Sequence, residues 1–205
     1  MPARPLRTPP VHAARRRKAA PDVEALEGRR LLSNLPADAS EGIRQLEAIR
    51  VSTLQALGDA SRQIDAAASQ FADRAASAVG SLTQALADAR QQAQPGPPSA
   101  AKLAQGRIRA ISKGLARDRQ LAGLGASSAT RVANAIAVAR GVKDVDTDNG
   151  IADIQNDVGN GVGAIVADAS KTGAIYVRNA RNQAASVVRQ LDNYGRQLVV
   201  NVPGG

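Results

Sequence analysis

An all-α fold is predicted by three observations. Apolar residues recur at three- and four-residue steps over spans far longer than any strand, no segment shows convincing two-residue alternation over strand length, and alanine carries much of the 43% hydrophobic content. The expected architecture is a set of long amphipathic helices, as a helical hairpin, a bundle or a coiled-coil-like assembly, behind a disordered basic N-terminal tail. Phe71, Tyr176 and Tyr194 are the only aromatic residues and tryptophan is absent. Burial contributes roughly 25 cal/mol per Å² of apolar surface, so alanine-lined helix contacts are individually weak. Marginal tertiary stability is expected unless partner chains add buried area.

Residues 1–37 form the predicted tail, rich in Pro and Arg and too poor in apolar side chains to offset the entropy of ordering. The formal net charge of +9 is uneven: residues 1–30 hold eight Lys or Arg against three acids, and the rest of the chain nineteen against fifteen. The densest run is Arg15, Arg16, Arg17 and Lys18. It reads either as a solvated tail or as a contact for an anionic surface, the first being preferred on charge alone.

A long helix is predicted over 38–94. Asp38 and Glu41 have capping-box spacing just before Ile43. Leu54, Leu57, Ile64, Ala68, Phe71, Ala75, Ala78, Leu82 and Ala85 then mark one stripe, with Asp59, Arg62, Asp73, Arg74 and Asp88 opposite. A Pro/Gly linker at 95–98 ends it, since proline removes a backbone donor.

Two shorter helices are expected over 99–142. The first carries Leu103, Ile108, Ile111 and Leu115, weakened by Gly106 and Gly114, and stops at Gly123-Leu124-Gly125. Ser127 or Ser128 caps the second, which carries Val132, Ile136 and Ala139 and closes near Gly141. An acidic turn follows at 143–150. The last element, 151–199, is a long helix from Ile151 to Leu198, broken or kinked at Gly159, Gly161 and Gly163. Residues 200–205 are expected to fray.

Chemistry is sparsely equipped. Without cysteine there is neither a disulfide framework nor thiolate catalysis. The only imidazole, His12, sits in the tail, where nothing holds it within hydrogen-bond reach of a reacting group. Asp144, Asp146 and Asp148 alternate before Asn149-Gly150-Ile151, an arrangement that calcium loops use to converge carboxylates on a hard cation. However, Gly150 comes one position late and Gln155 stands where a bidentate Glu belongs. An Asx-rich turn between helices explains the same residues and is preferred. Gly159-Asn160-Gly161-Val162-Gly163 lacks the preceding strand and the Lys-Ser/Thr of a phosphate loop. No cofactor, small-molecule substrate or transmembrane span is therefore expected, the last because no run approaches the roughly 20 apolar residues a bilayer requires.

Lys102, Arg107, Arg109, Lys113, Arg117 and Arg119 make the region after the linker basic and suited to neutralising phosphates. No aromatic interleaves them for base stacking, so only non-specific nucleic acid or an anionic surface is a candidate ligand.

Leu26-Glu27-Gly28-Arg29-Arg30-Leu31-Leu32, preceded by the basic run, resembles the bacterial LEPR-XLL domain, whose motif reads Leu-Glu-Pro-Arg, any residue, Leu-Leu. Leu26, Glu27, Arg29, Leu31 and Leu32 match, whereas Gly28 replaces the proline. The resemblance covers about residues 13–34. It implies a sorting or export element and a cell-envelope or extracellular destination, with the cytoplasm as the alternative. It implies nothing about activity downstream. The function expected from the whole chain is a non-catalytic structural or interaction protein acting through self-association or partner helices. The alternative is a charge-driven binding module.

Overall fold

A computed structural model describes residues 36–93, 97–156 and 161–199, and they are almost entirely helical. Three helices follow one another: α1 (Ala37–Gln92), α2 (Pro98–Asn156) and α3 (Val162–Gln197). At 1.5 Å per residue α1 and α2 each run for more than about 80 Å. As residue numbers rise along α1, their α2 partners fall: Leu46 meets Gly150, Phe71 meets Gly125, and Leu82 meets Gly114. These two helices are therefore antiparallel. α3 runs with α1, its Gly173 beside Thr53 and Gly195 beside Arg74, and closes a bundle against both.

The helix ends differ in detail from the sequence reading. At the start of α1 no capping box forms: Pro36 is the N-cap, and its carbonyl accepts the Ser40 N–H at 3.0 Å. Asp38 lies in the first turn, where its charge complements the positive end of the helix dipole. Glu41 instead pairs with Arg44 and accepts from Gln45. Pro98 begins α2 rather than ending the linker, a position where its missing N–H costs nothing.

α2 is one uninterrupted helix where two helices and an acidic turn are expected. Glycine inside a helix costs about 1 kcal/mol relative to alanine. Here that cost is outweighed by a buried stripe that runs straight through Gly123 and Gly141: Leu121, Gly125, Ala129, Ile136, Lys143, Thr147, Gly150 and Ile154. Ser127 and Ser128 lie within the helix and cap nothing. The 143–150 segment is helical because Lys143, Thr147 and Gly150 are buried on one face of it, and ion pairs to α1 add to this packing. Asp144 and Asp148, one turn apart, both reach Arg50 of α1, at 2.7 and 3.1 Å. The Thr147 hydroxyl donates to the Lys143 carbonyl at 2.9 Å, which satisfies it without leaving the helix.

The break near the last glycine cluster is present. α2 ends at Asn156, and α3 starts from Gly161, whose φ of 85° lies in the left-handed region that glycine enters without strain. Residues 151–156 thus belong to α2 and the final helix is correspondingly shorter. The expected tail, the linker's centre and the fraying end at 200–205 lie outside the described residues.

Three apolar clusters hold the bundle. Ala39, Ile43, Leu46 and Ile154 close one end. The central cluster has fourteen buried side chains, six of them alanine, so close helix approach rather than bulky side-chain burial sets its packing. Phe71 is its largest member, lying between Gly125 of α2 and Tyr194 of α3, with ring centroids 6.3 Å apart. Leu82, Leu86, Ala89, Ile111 and Leu115 hold the far end, where α1 and α2 continue beyond α3.

Candidate interaction surfaces

Three surfaces combine exposure with distinctive chemistry. The first is a groove between α1 and α2, about 760 Å³ in volume. Its walls are almost wholly small residues: Ala68, Ser69, Ala72 and Ala76 from α1, and Ala122, Ala126, Thr130 and Ala133 from α2. Asp65 and Arg119 also line it. Because the helices are antiparallel and Phe71 lies level with Gly125, Asp65 falls toward one end of the groove and Arg119 toward the other. Neither forms an ion pair among the described residues. The groove continues past Leu54, Gly58 and Ser61 toward Arg140.

The second surface is the basic stretch of α2. Lys102, Arg107, Arg109, Lys113, Arg117 and Arg119 are all exposed. At 100° of rotation per residue, Lys102, Arg109, Lys113 and Arg117 share an arc of roughly 80°, while Arg107 and Arg119 point elsewhere. Arg117 donates to Gln197 at 3.3 Å. The one carboxylate nearby, Asp118, is fully buried and turned inward. Over 98–142 α2 carries eight Lys or Arg and that single Asp; over 143–156 it carries one Lys and four Asp. The helix is therefore strongly polarised along its length. Exposed apolar side chains accompany it, Leu103 near its start and Val138, Val142 and Val145 further along.

The third surface is a polar cleft of about 460 Å³ between α2 and α3, lined by Lys143, Asp146, Asn149, Asp153, Asp168 and Thr172. Lys143 continues the buried stripe of α2 and is only 1% exposed. Its Nζ donates to the Ala169 carbonyl at 3.2 Å. Burial pulls its pKa below the ordinary lysine value, and the nearby charges of Asp146 and Asp168 oppose that shift. The Tyr176 hydroxyl is pushed up, first by burial and then by the charge and hydrogen bond of Asp146.

This arrangement overturns both sequence readings of Asp144, Asp146 and Asp148. In a continuous helix, Asp144 and Asp148 turn toward Arg50 while Asp146 turns toward Lys143 and Tyr176, so the three do not converge as a calcium loop requires. Among the described residues no group of three or more His, Cys, Asp or Glu could hold a metal ion. No described helix is long and apolar enough to cross a membrane. His12, Arg15, Arg16, Arg17 and Lys18 lie outside the described residues, as do Leu26, Glu27, Arg29, Leu31 and Leu32.

Sequence reasoning missed Asp118, Lys143 and the placing of Asp65 and Arg119 at opposite ends of one groove. The signal for the first two was spacing: 111, 118, 125 and 132, with 115, 122, 129, 136, 143 and 150, form one seven-residue register in which Asp118 and Lys143 stand at inward positions. Placing a stop at Gly123 and a turn at 143 hid that register. Comparison of the chain with family models, curated proteins and solved structures produced no match.

Proposed function

We propose that the chain is a non-catalytic structural or interaction protein that works through helix–helix association, delivered to the cell envelope by its basic N-terminal segment. The observation that carries the first half is the open groove of α1 and α2. A helix-packing surface of alanines, of the kind α3 covers on other flanks of the same helices, is left facing solvent. Small side chains let another helix approach closely, so such a surface suits a helical partner better than a compact ligand. The second half rests on the LEPR-XLL resemblance of residues 13–34.

Fractionation of native cells carrying either the full chain or a version lacking residues 1–36 tests the proposal. The full chain is expected in the envelope fraction and the shortened one in the cytosol. Finding both wholly in the cytosol would remove the targeting element.

A second reading is favoured by one specific feature, the unopposed cations of α2. It makes the chain a charge-driven module for non-specific nucleic acid or an anionic membrane surface. Salt separates the two: phosphate contacts weaken steeply between 50 and 200 mM salt, whereas association through an alanine surface persists.

A further inference from the structure

We infer that the α1–α2 groove is occupied by the same groove of a second copy, laid antiparallel, so that Asp65 of each chain meets Arg119 of the other. This rests on the helix-association reading and names its partner.

The first argument is charge placement. Asp65 lies seven residues before Ala72 on α1, and Arg119 seven residues before Ala126 on α2. Both offsets are about 10 Å along the axis, in opposite directions because the helices are antiparallel. A twofold axis crossing the groove at Ala72 and Ala126, perpendicular to the helices, lays α1 on α1 and α2 on α2 with ends exchanged. It brings each Asp65 level with the Arg119 of the second copy, across the width of the groove. A twofold axis parallel to the helices instead sets Asp65 beside Asp65 and Arg119 beside Arg119. Like charges at those positions oppose that alternative.

The larger charge distribution has the same sense. The cations of α2 gather at the end where α1 finishes, while Asp144, Asp146, Asp148 and Asp153 gather at the other end, beside Asp38, Glu41 and Glu47 of α1. Two rods polarised in this way attract when they lie side by side head to tail. Arg62, near the groove, is already paired with Asp59, so it does not spoil the match.

With the axis at Ala72 the groove overlies itself from Asp65 to Val79, roughly 21 Å along two helices. This overlap is on the order of 400 Å² per copy, the size of a weak, reversible interface, so the charge match rather than area selects the partner. Almost every side chain in it is small enough for backbones to approach closely, which favours a helical surface of the same kind over a partner with bulky projections.

The chain contains no cysteine, so Ala72→Cys introduces a single thiol on the proposed axis. Under mild oxidation the full-length variant is expected to form a disulfide-linked dimer with itself, and the native chain to sediment as a reversible dimer at about 100 µM. Asp65→Arg and Arg119→Asp, both on exposed side chains, should each weaken the dimer by roughly tenfold or more, and the double reversal should restore it. A monomer at 100 µM overturns the inference. So does cross-linking only when Ala72→Cys is mixed with Ala126→Cys, which marks the parallel arrangement, or a double reversal as weak as either single change. Envelope retention of a strictly monomeric chain would remove the dimer and leave the proposed function standing.

Discussion

Asp118 accepts the backbone N–H of Val199 with both carboxylate oxygens, at 3.2 and 3.1 Å, and so pins the chain after α3 to the middle of α2. The carboxylate is fully buried, and a buried charge is tolerated only where donors satisfy it. Leu198, also buried, is held in the central cluster next to this contact.

Asp118→Ala should therefore destabilise the fold by about 1–3 kcal/mol, because the Val199 N–H loses its partner. Urea unfolding reads the global effect. Amide exchange at Val199 should accelerate more than at residues of the opposite end, such as Leu46.

Gly125 and Gly141 should respond to alanine in opposite directions. A Cβ at Gly125 collides with the edge of the Phe71 ring, whereas at Gly141 it meets open space. Gly125→Ala is expected to cost about 1–3 kcal/mol through overpacking, and Gly141→Ala to add up to about 1 kcal/mol through helix propensity. Thermal unfolding of the two variants side by side checks the signs.

Much of this organisation is legible in the amino-acid sequence. The stripe from Leu57 to Leu82 is buried as its spacing requires except at half-buried Ala68, which lines the groove, and Arg62, Asp73 and Asp88 face solvent. The glycine cluster after Asn156 does interrupt the last pattern. Local chemistry in α2 is what misleads. Gly123, Gly125 and the Asp-Asn-Gly run favour stops and turns in isolation, but Phe71 needs a glycine opposite it and Arg50 needs two carboxylates one turn apart. Those partners lie 54 to 98 residues away, beyond any local window. The groove is illegible for a related reason: its alanines look like any others until the position of α3 decides which remain uncovered.

Lys143 predicts a pH dependence with a definite sign. The unfolded chain holds this proton up to the ordinary value of 10.5, while the folded chain releases it at lower pH. Between those points the unfolded state binds more protons, so stability rises as pH rises through the window. Below it, the cost of burying the ammonium is fully present. Tyr176, raised from 10.0, acts oppositely only above that pH, because there the unfolded chain ionises first. Lys143→Met should accordingly flatten the rise seen below pH 10 and stabilise the protein near neutrality by roughly 1 kcal/mol. Denaturant midpoints from pH 7 to 10 for the two proteins measure it.

Arg50→Ala removes both ion pairs to α2, but these groups are about one-third to two-thirds exposed. The expected loss is only about 0.5–1 kcal/mol, shrinking as salt is added. Residues 143–150 should stay helical by chemical shift, since Lys143, Thr147 and Gly150 remain packed.

Because α3 stops beside Asp118, the last turns of α1 and the first turns of α2 form a pair of rods zipped by five buried side chains. No residue of α2 from 98 to 110 is fully buried, so this end should breathe open first, as a fork would, and limited proteolysis should begin there. The basic stripe from Lys102 to Arg117 rides on that prong, so its opening would give the cations an adjustable reach.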